Sequence, residues 1–188
     1  MQKKIDQRII LTQKMLKEAL IILLNQKAIK SISVKELCDK ADINRSTFYS
    51  HYECIYDLLE EIEEDMFEEL KITFAEYESS KSSNKDLYNI LFTFFANNSD
   101  MCKILLGTNS DIRFLHKLLE LGEKKFYEAF TKINPKIDKD KMEFFYQYAS
   151  SGFVGVLSVW LQNNMDASIE EISANVRQII NKGIQYIL

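Results

Sequence analysis

The 188-residue chain contains only five glycines and one proline. Both residue types punctuate turns, and an all-β or α/β chain of this length needs many more of them. So few breaks leave long, uninterrupted elements, which points to an all-α fold. Apolar residues make up 46% of the sequence, enough for a buried core. No apolar run approaches the ~20 residues of a membrane span. Residues 1–8 lead into an amphipathic stretch and not into the apolar centre of a signal peptide. Cys38, Cys54 and Cys102 form no even framework, which suits a reducing cytoplasm.

Apolar spacing sets the helices. Ile5, Ile9, Leu16, Leu20, Leu23 and Leu24 define a first helix over about 3–27. Val34, Leu37, Cys38 and Ala41 define a short second one, opened by a Ser33–Glu36 capping box, with Ile32 placed to staple onto Leu37. Asn44 is a good N-cap for a third short helix over about 45–51, with Ile43 placed to staple onto Phe48. Between them, "ADIN" makes a tight turn in which Asp42 can adopt the left-handed conformation. Two independently capped short helices so joined form a helix-turn-helix.

A fourth helix carries Ile55, Leu58, Leu59, Ile62, Met66, Leu70 and Phe74 to about residue 78, with an acidic outer face. Further helices are expected at about 86–97, 100–106, 110–133, 138–163 and 168–187, about nine in all. Residues 78–85, "ESSKSSNK", read as a loop, Pro135 ends the seventh helix, and Ser168 with Glu171 opens the last. The expected organisation is a head over residues 1–53, whose linking helix runs to about 70, and a helical body over residues 54–188.

The third helix carries the chemistry. Phe48 and, one turn on, Tyr52 face inward, leaving Arg45, Ser46, Thr47, Tyr49, Ser50 and His51 on the outer and flanking surfaces. Arginine can grip guanine through two hydrogen bonds, and serine and threonine hydroxyls can meet either hydrogen-bonding sense at a base edge. Tyr49 and His51 can donate to phosphates and fix register. Residues 1–55 hold ten Lys and Arg against six Asp and Glu, whereas the remainder holds 14 against 22. A basic head on an acidic body suits docking onto a polyanion. A solvated or protein-binding face is the plainer reading of such a helix. The caps, the turn and the charge split together favour double-stranded DNA.

The stretch "VKELCDKADINRSTFYSHYECIYDLL", from Val34 to Leu59, resembles the DNA-binding head of the TetR family of bacterial transcription regulators, and with the first helix the similarity covers about residues 5–70. The resemblance implies that Asn44 to Thr47, Tyr49 and His51 contact DNA and that Ser33 and Lys35 approach backbone phosphates. Two positions depart from the family pattern. Asp42 stands where many members have Gly, and Ile55, preceded by Glu53, stands where many have a phosphate-binding Lys.

The body reads as a pairing and ligand-binding domain. Met142, Phe145, Ala149, Gly152, Val156 and Trp160 form one seam of the eighth helix, and Phe144, Tyr148, Ser151 and Gly155 form a second. A helix apolar on two sides is buried on two sides. Ile169, Ile172, Val176, Ile179, Gly183 and Ile187 give the last helix its own stripe. A homodimer through a four-helix interface is expected, and the resemblance implies pairing through the same region. Sixteen of the 22 aromatic residues fall between Phe74 and Trp160. Phe92, Phe95, Phe114, Leu118, Tyr127, Tyr148 and Trp160 are candidate lining for a small apolar or aromatic effector, although such stripes also occur as plain core.

Enzyme chemistry has little support. The chain has two histidines, His51 and His116, and no signposted nucleophile–base pair or phosphate-cradling glycine loop. His51 with Cys54 resembles half a metal site, but no second pair completes it. No cofactor or metal is expected. Two functional classes fit: a dimeric repressor released by a small effector, and an activator or coregulator controlled by a protein partner without a small ligand.

Overall fold

The computed structural model describes residues 7–79, 86–106, 112–133, 135 and 138–185. Ile5, Ile187, the ends expected at 3–6 and 186–187, and loop residues 80–85 lie outside them. The described residues form nine α-helices and no strand. These are α1 (Gln7–Leu24), α2 (Val34–Ala41), α3 (Arg45–Tyr49), α4 (Ile55–Ser79), α5 (Leu87–Asn97), α6 (Ser99–Leu105), α7 (Ile112–Ile133), α8 (Lys139–Gln162) and α9 (Ile169–Ile184). By contacts the chain divides into two compact units, Met1–Glu69 and Leu70–Leu188. That division falls within α4, whereas the sequence-based boundary of 53/54 stands at the helix's start.

In the first unit α1 packs on α2 and α2 on α3. Leu16, Ala19, Leu20 and Leu23 of α1 meet a core of Leu37, Cys38, Ala41, Phe48, Tyr52, Ile55, Leu58, Ile62 and Met66. The buried face of α1 begins at Leu16. Ile9, expected inside, is 41% exposed, and Ile10 and Leu11 are exposed as well. A three-residue 3-10 turn at Ile29–Ser31 was not expected, because its bonds, Ser31 N–H to Ala28 O and Ile32 N–H to Ile29 O, are too local to leave a periodic pattern.

In the second unit α5 packs on α9, α6 on α5, α7 and α8, and α8 on α7 and α9. Phe92, Phe94, Phe95, Met101, Cys102, Leu105, Phe114, Leu157, Trp160 and Leu161 are buried. Trp160 also donates through Nε1 to the Ala167 carbonyl at 2.9 Å. That bond ties down the α8–α9 connection, where Asn164 and Met165 are both left-handed. A second cluster centres on Met142 and Phe145, packed by Phe126, Tyr127, Phe130, Ala149, Ile180 and Ile184. Ser168 caps α9 by accepting the Glu171 N–H at 3.2 Å, the bond the sequence pattern implies.

Gly183 is required where α9 crosses α8, because a Cβ there would stand 2.5 Å from the Phe145 ring. Gly183→Ala should destabilise the protein by about 1–3 kcal/mol through overpacking. Chemical denaturation of the variant against wild type measures this.

Candidate nucleic-acid interface

Five residues make too short a helix to persist alone, so α3 is held from outside. At its start Asn44 Oδ1 accepts the Thr47 N–H at 2.9 Å. At its end the bonds tighten: Ser50 N–H reaches both Ser46 O and Thr47 O, and His51 N–H reaches Phe48 O at 2.9 Å. This tightening ends α3 at Tyr49, short of the expected residue 51. Phe48 is fully buried, and its ring lies 5.6 Å from that of Tyr52.

The preceding turn is equally well specified. Ser33 Oγ accepts the Glu36 N–H at 3.2 Å and opens α2. The Glu36 carboxylate takes Lys27 Nζ on both oxygens at 2.7 Å. Asp42 closes α2 at φ 55°, ψ 42°, with its own N–H and that of Ile43 both on the Cys38 carbonyl. Asp tolerates this left-handed conformation better than most residues, so the turn forms with Asp where Gly would be easiest.

These anchors place Arg45, Ser46, Tyr49 and Ser50 on the exposed side of α3, with Thr47 and His51 half-buried at its flanks. Tyr49 is 57% exposed. Ser33 and Lys35 are exposed at the start of α2, and Asn44 is exposed at the cap.

Two features behind this face escaped the sequence. Asp57 accepts the N–H groups of Glu53 and Cys54 at 2.8 and 3.0 Å and the Cys54 thiol at 3.3 Å. These bonds, chiefly that from the Cys54 backbone, hold its carboxyl below the ordinary range. Asp57 reaching back to the Cys54 N–H is the acidic half of a capping box, and the thiol, which donates to that carboxylate instead of accepting the Asp57 N–H, obscured it. Second, Lys17 of α1 bridges Glu61 (2.7 Å) and Asp65 of α4, and Gln13 donates to Glu61 at 3.3 Å. Burial would raise the Glu61 carboxyl, but the hydrogen bonds and charge of Lys17 help to hold it below its ordinary value. Burial, aided by Glu61, pushes the Tyr52 phenol far up.

Among the described residues no group of three His, Cys, Asp or Glu side chains could hold a metal ion. Burial pushes the Cys38 thiol up, and that of Cys102 up to about 12.

In the second unit the expected lining residues separate. Phe92, Phe95, Phe114 and Trp160 are buried, and Phe92 packs 5.3 Å edge-on to Trp160 and 5.4 Å from Phe153. Leu118 and Tyr127 are half-buried, Tyr127 against the Met142–Phe145 cluster. Tyr148 is 71% exposed and stands apart from that core. A cavity of about 560 Å³ lies elsewhere, between Thr73, Glu76 and Tyr77 of α4, Asn89 and Ile90 of α5 with its cap Asp86, and Glu170, Ser173 and Arg177 of α9. Arg177 pairs there with Asp86 at 2.6 Å.

The two seams of α8 also divide. Met142, Phe145 and Trp160 are buried within the protomer, with Ala149 and Val156 half-buried. Phe144 (67% exposed), Tyr148, Ser151, Gly155 and Val159 face outward, as does Gly152. On α9, Val176 is buried and Ile172 and Gly183 are half-buried, while Ile179 is 61% exposed. A Cβ at Gly152 or Gly155 would meet nothing within 4 Å.

A family model described as the transcriptional regulator C-terminal region, of TetR type, matches residues 82–182. The chain is 22% identical over 171 residues to "Uncharacterized HTH-type transcriptional regulator YxbF" of Bacillus subtilis (strain 168). That match covers 88% of this chain and 44% of the relative, so the chain spans less than half the length of the curated relative it matches. A TetR transcriptional regulator from Streptococcus agalactiae 2603V has a similar structure, with a TM-score of 0.67, 26% identity, and 93% and 96% of the two chains covered. The dihydroxyacetone kinase operon activator DhaS shares the fold, with a TM-score of 0.60, 21% identity, and 95% and 98% covered.

The depressed carboxyls give an acid dependence of definite sign. The stability Glu61 supplies is complete above its ordinary value of 4.5 and is lost as pH falls through its lower folded value. Thermal melting of wild type should therefore fall on acidification below about pH 4.5. Glu61→Gln should melt lower at pH 7 and lose less on going to pH 3.

Proposed function

The chain belongs to the TetR family of transcriptional regulators, and from that premise we propose that it binds a palindromic operator as a homodimer, inserting α3 of each copy into the major groove. The observation that carries this reading is the division of α3. Phe48 is fully buried, while Arg45, Ser46, Tyr49 and Ser50 on the same short helix face outward. In helix-turn-helix proteins the second helix reads base edges with its N-terminal residues. Arg45 supplies a bidentate donor for guanine, Tyr49 and His51 hold phosphates, and Ser33 and Lys35 steady the start of α2 on the backbone. Asn44 stands at the edge of the same surface.

The outward seam of α8 supports pairing. Phe144, Tyr148 and Val159 are large apolar residues left in solvent by the protomer, and Ile179 on α9 is another. Gly152 and Gly155 on that side have empty space around them, which lets a second α8 approach closely. Two copies then present two α3 helices to half-sites about 34–36 Å apart, or a multiple of that.

For output, we propose repression relieved by a small effector. The cavity between α4, α5 and α9 falls within the common size range of ligand sites, about 300–1,000 Å³. A ligand there would act by favouring one disposition of the paired heads over another. The second reading, activation or coregulation through a protein partner, gains from two observations: the expected aromatic lining packs against itself, and a protein of the same fold is an operon activator.

Arg45→Ala should weaken operator binding by about 1–3 kcal/mol, ~5- to 150-fold, and Tyr49→Ala should weaken it too. Both variants should keep wild-type melting, and wild-type affinity should fall steeply with added salt. Gel-shift titration reads all of this, and undiminished affinity in both variants contradicts the placement of α3. Gly155→Trp should yield a folded monomer by analytical ultracentrifugation, and a persistent dimer contradicts pairing through this face.

A further inference from the structure

If α3 is the element that meets base edges, as proposed above, hydrogen bonds within the helix restrict what it can recognise. A hydroxyl ordinarily offers one donor and two lone pairs, so a serine tolerates either sense at a base edge. Here that freedom is removed. Asn44 Oδ1 receives the Thr47 backbone N–H, a group that can only donate, which fixes this amide atom as an oxygen that can only accept. Ser46 Oγ lies 2.5 Å from the same oxygen, so its single hydrogen is committed to Asn44. Thr47 Oγ1 points to it at 3.2 Å, a longer third contact on an atom with two lone pairs. Ser50 Oγ donates to the Thr47 carbonyl at 2.7 Å. The exposed Ser46 and Ser50 therefore present lone pairs outward. Ser46, in the first turn of α3, is the one positioned where reading helices meet bases.

We propose that Ser46 is a specificity-determining residue that acts as an acceptor only and selects an amino base over a keto base at one position of each half-site, with Asn44 as the positioning residue that locks its polarity. In the major groove adenine and cytosine present exocyclic amino donors, whereas guanine and thymine present carbonyl oxygens. An acceptor-only oxygen can bond the first pair and meets the second lone pair to lone pair. Exchanging adenine for cytosine keeps the amino group on the same strand, and exchanging it for guanine or thymine does not.

The full chain is used to select duplexes from a randomised pool and is then titrated against single-position variants of the selected half-site. One position per half-site should show a loss of ~10-fold or more on amino-to-keto exchange and a smaller loss between adenine and cytosine. Ser46→Ala should abolish that difference and leave the other positions unchanged. Asn44→Ala keeps the hydroxyl but frees its hydrogen, and should also relax the choice. A merely structural cap would lower affinity at every position alike. Melting curves establish that both variants fold; Ser46→Ala should melt close to wild type, and Asn44→Ala, which gives up the α3 cap, should melt somewhat lower while remaining folded. The assignment is overturned, with DNA reading intact, if Ser46→Ala leaves every base preference as it was. The same holds if the Ser46-dependent position favours a keto base or if Asn44→Ala keeps full discrimination. A chain that enriches no sequence at all overturns the proposed function itself, and this assignment with it.

Discussion

The burial of Phe48 is the contact on which the rest of the head depends. A helix of five residues cannot nucleate itself, and its two ends contribute only local bonds. The ring beneath it supplies what the backbone cannot. Full burial of such a side chain stabilises by roughly 1.5–3 kcal/mol, and here it also orients the helix. With Phe48 and Tyr52 inward, the polar residues between and before them have only the outside left to occupy. The Lys17–Glu61–Asp65 cluster then fixes α1 against the first half of α4 within the same unit.

In the body, α8 is apolar on two sides and satisfies only one of them within the protomer. Its inner side, through Met142, Phe145 and Trp160, packs in two separate cores. Its outer side carries Phe144, Tyr148 and Val159 beside two glycines with no neighbour of their own. Gly183 shows the contrast, since its missing Cβ is occupied by a ring of the same chain. Glycine thus has two meanings in this molecule, and only the packing around it separates them.

Much of the fold was legible because helices announce themselves through spacing and caps. The helices expected from the sequence appear within a few residues of their expected bounds. Ser33, Asn44 and Ser168 each accept the expected backbone N–H, although the Glu36 carboxylate turns to Lys27 instead of closing the Ser33 capping box, and Asp42 takes the left-handed turn position. What stayed hidden depends on packing. Periodicity marks both seams of α8 as apolar but cannot say which one the protomer keeps. The aromatic density of the body is visible in the sequence, yet whether rings enclose a space or fill it depends on their mutual orientation. Phe92, Phe153 and Trp160 fill it. Ile9 looks like a core residue by spacing and stands outside because the packed part of α1 starts two turns later. The Asp57 cap was obscured by the unusual residue it serves.

That cap has a consequence for how such a protein would behave among excess genomic DNA. The amides opening α4 already hold a carboxylate, and Ile55 brings no cation to the position where the family pattern it resembles implies a phosphate-binding Lys. Backbone phosphates supply the sequence-independent part of affinity, whereas base edges supply the selective part. On the proposed reading, this arrangement trims the first and spares the second. Dwell times on random stretches shorten, and occupancy comes to lean more on a well-matched target.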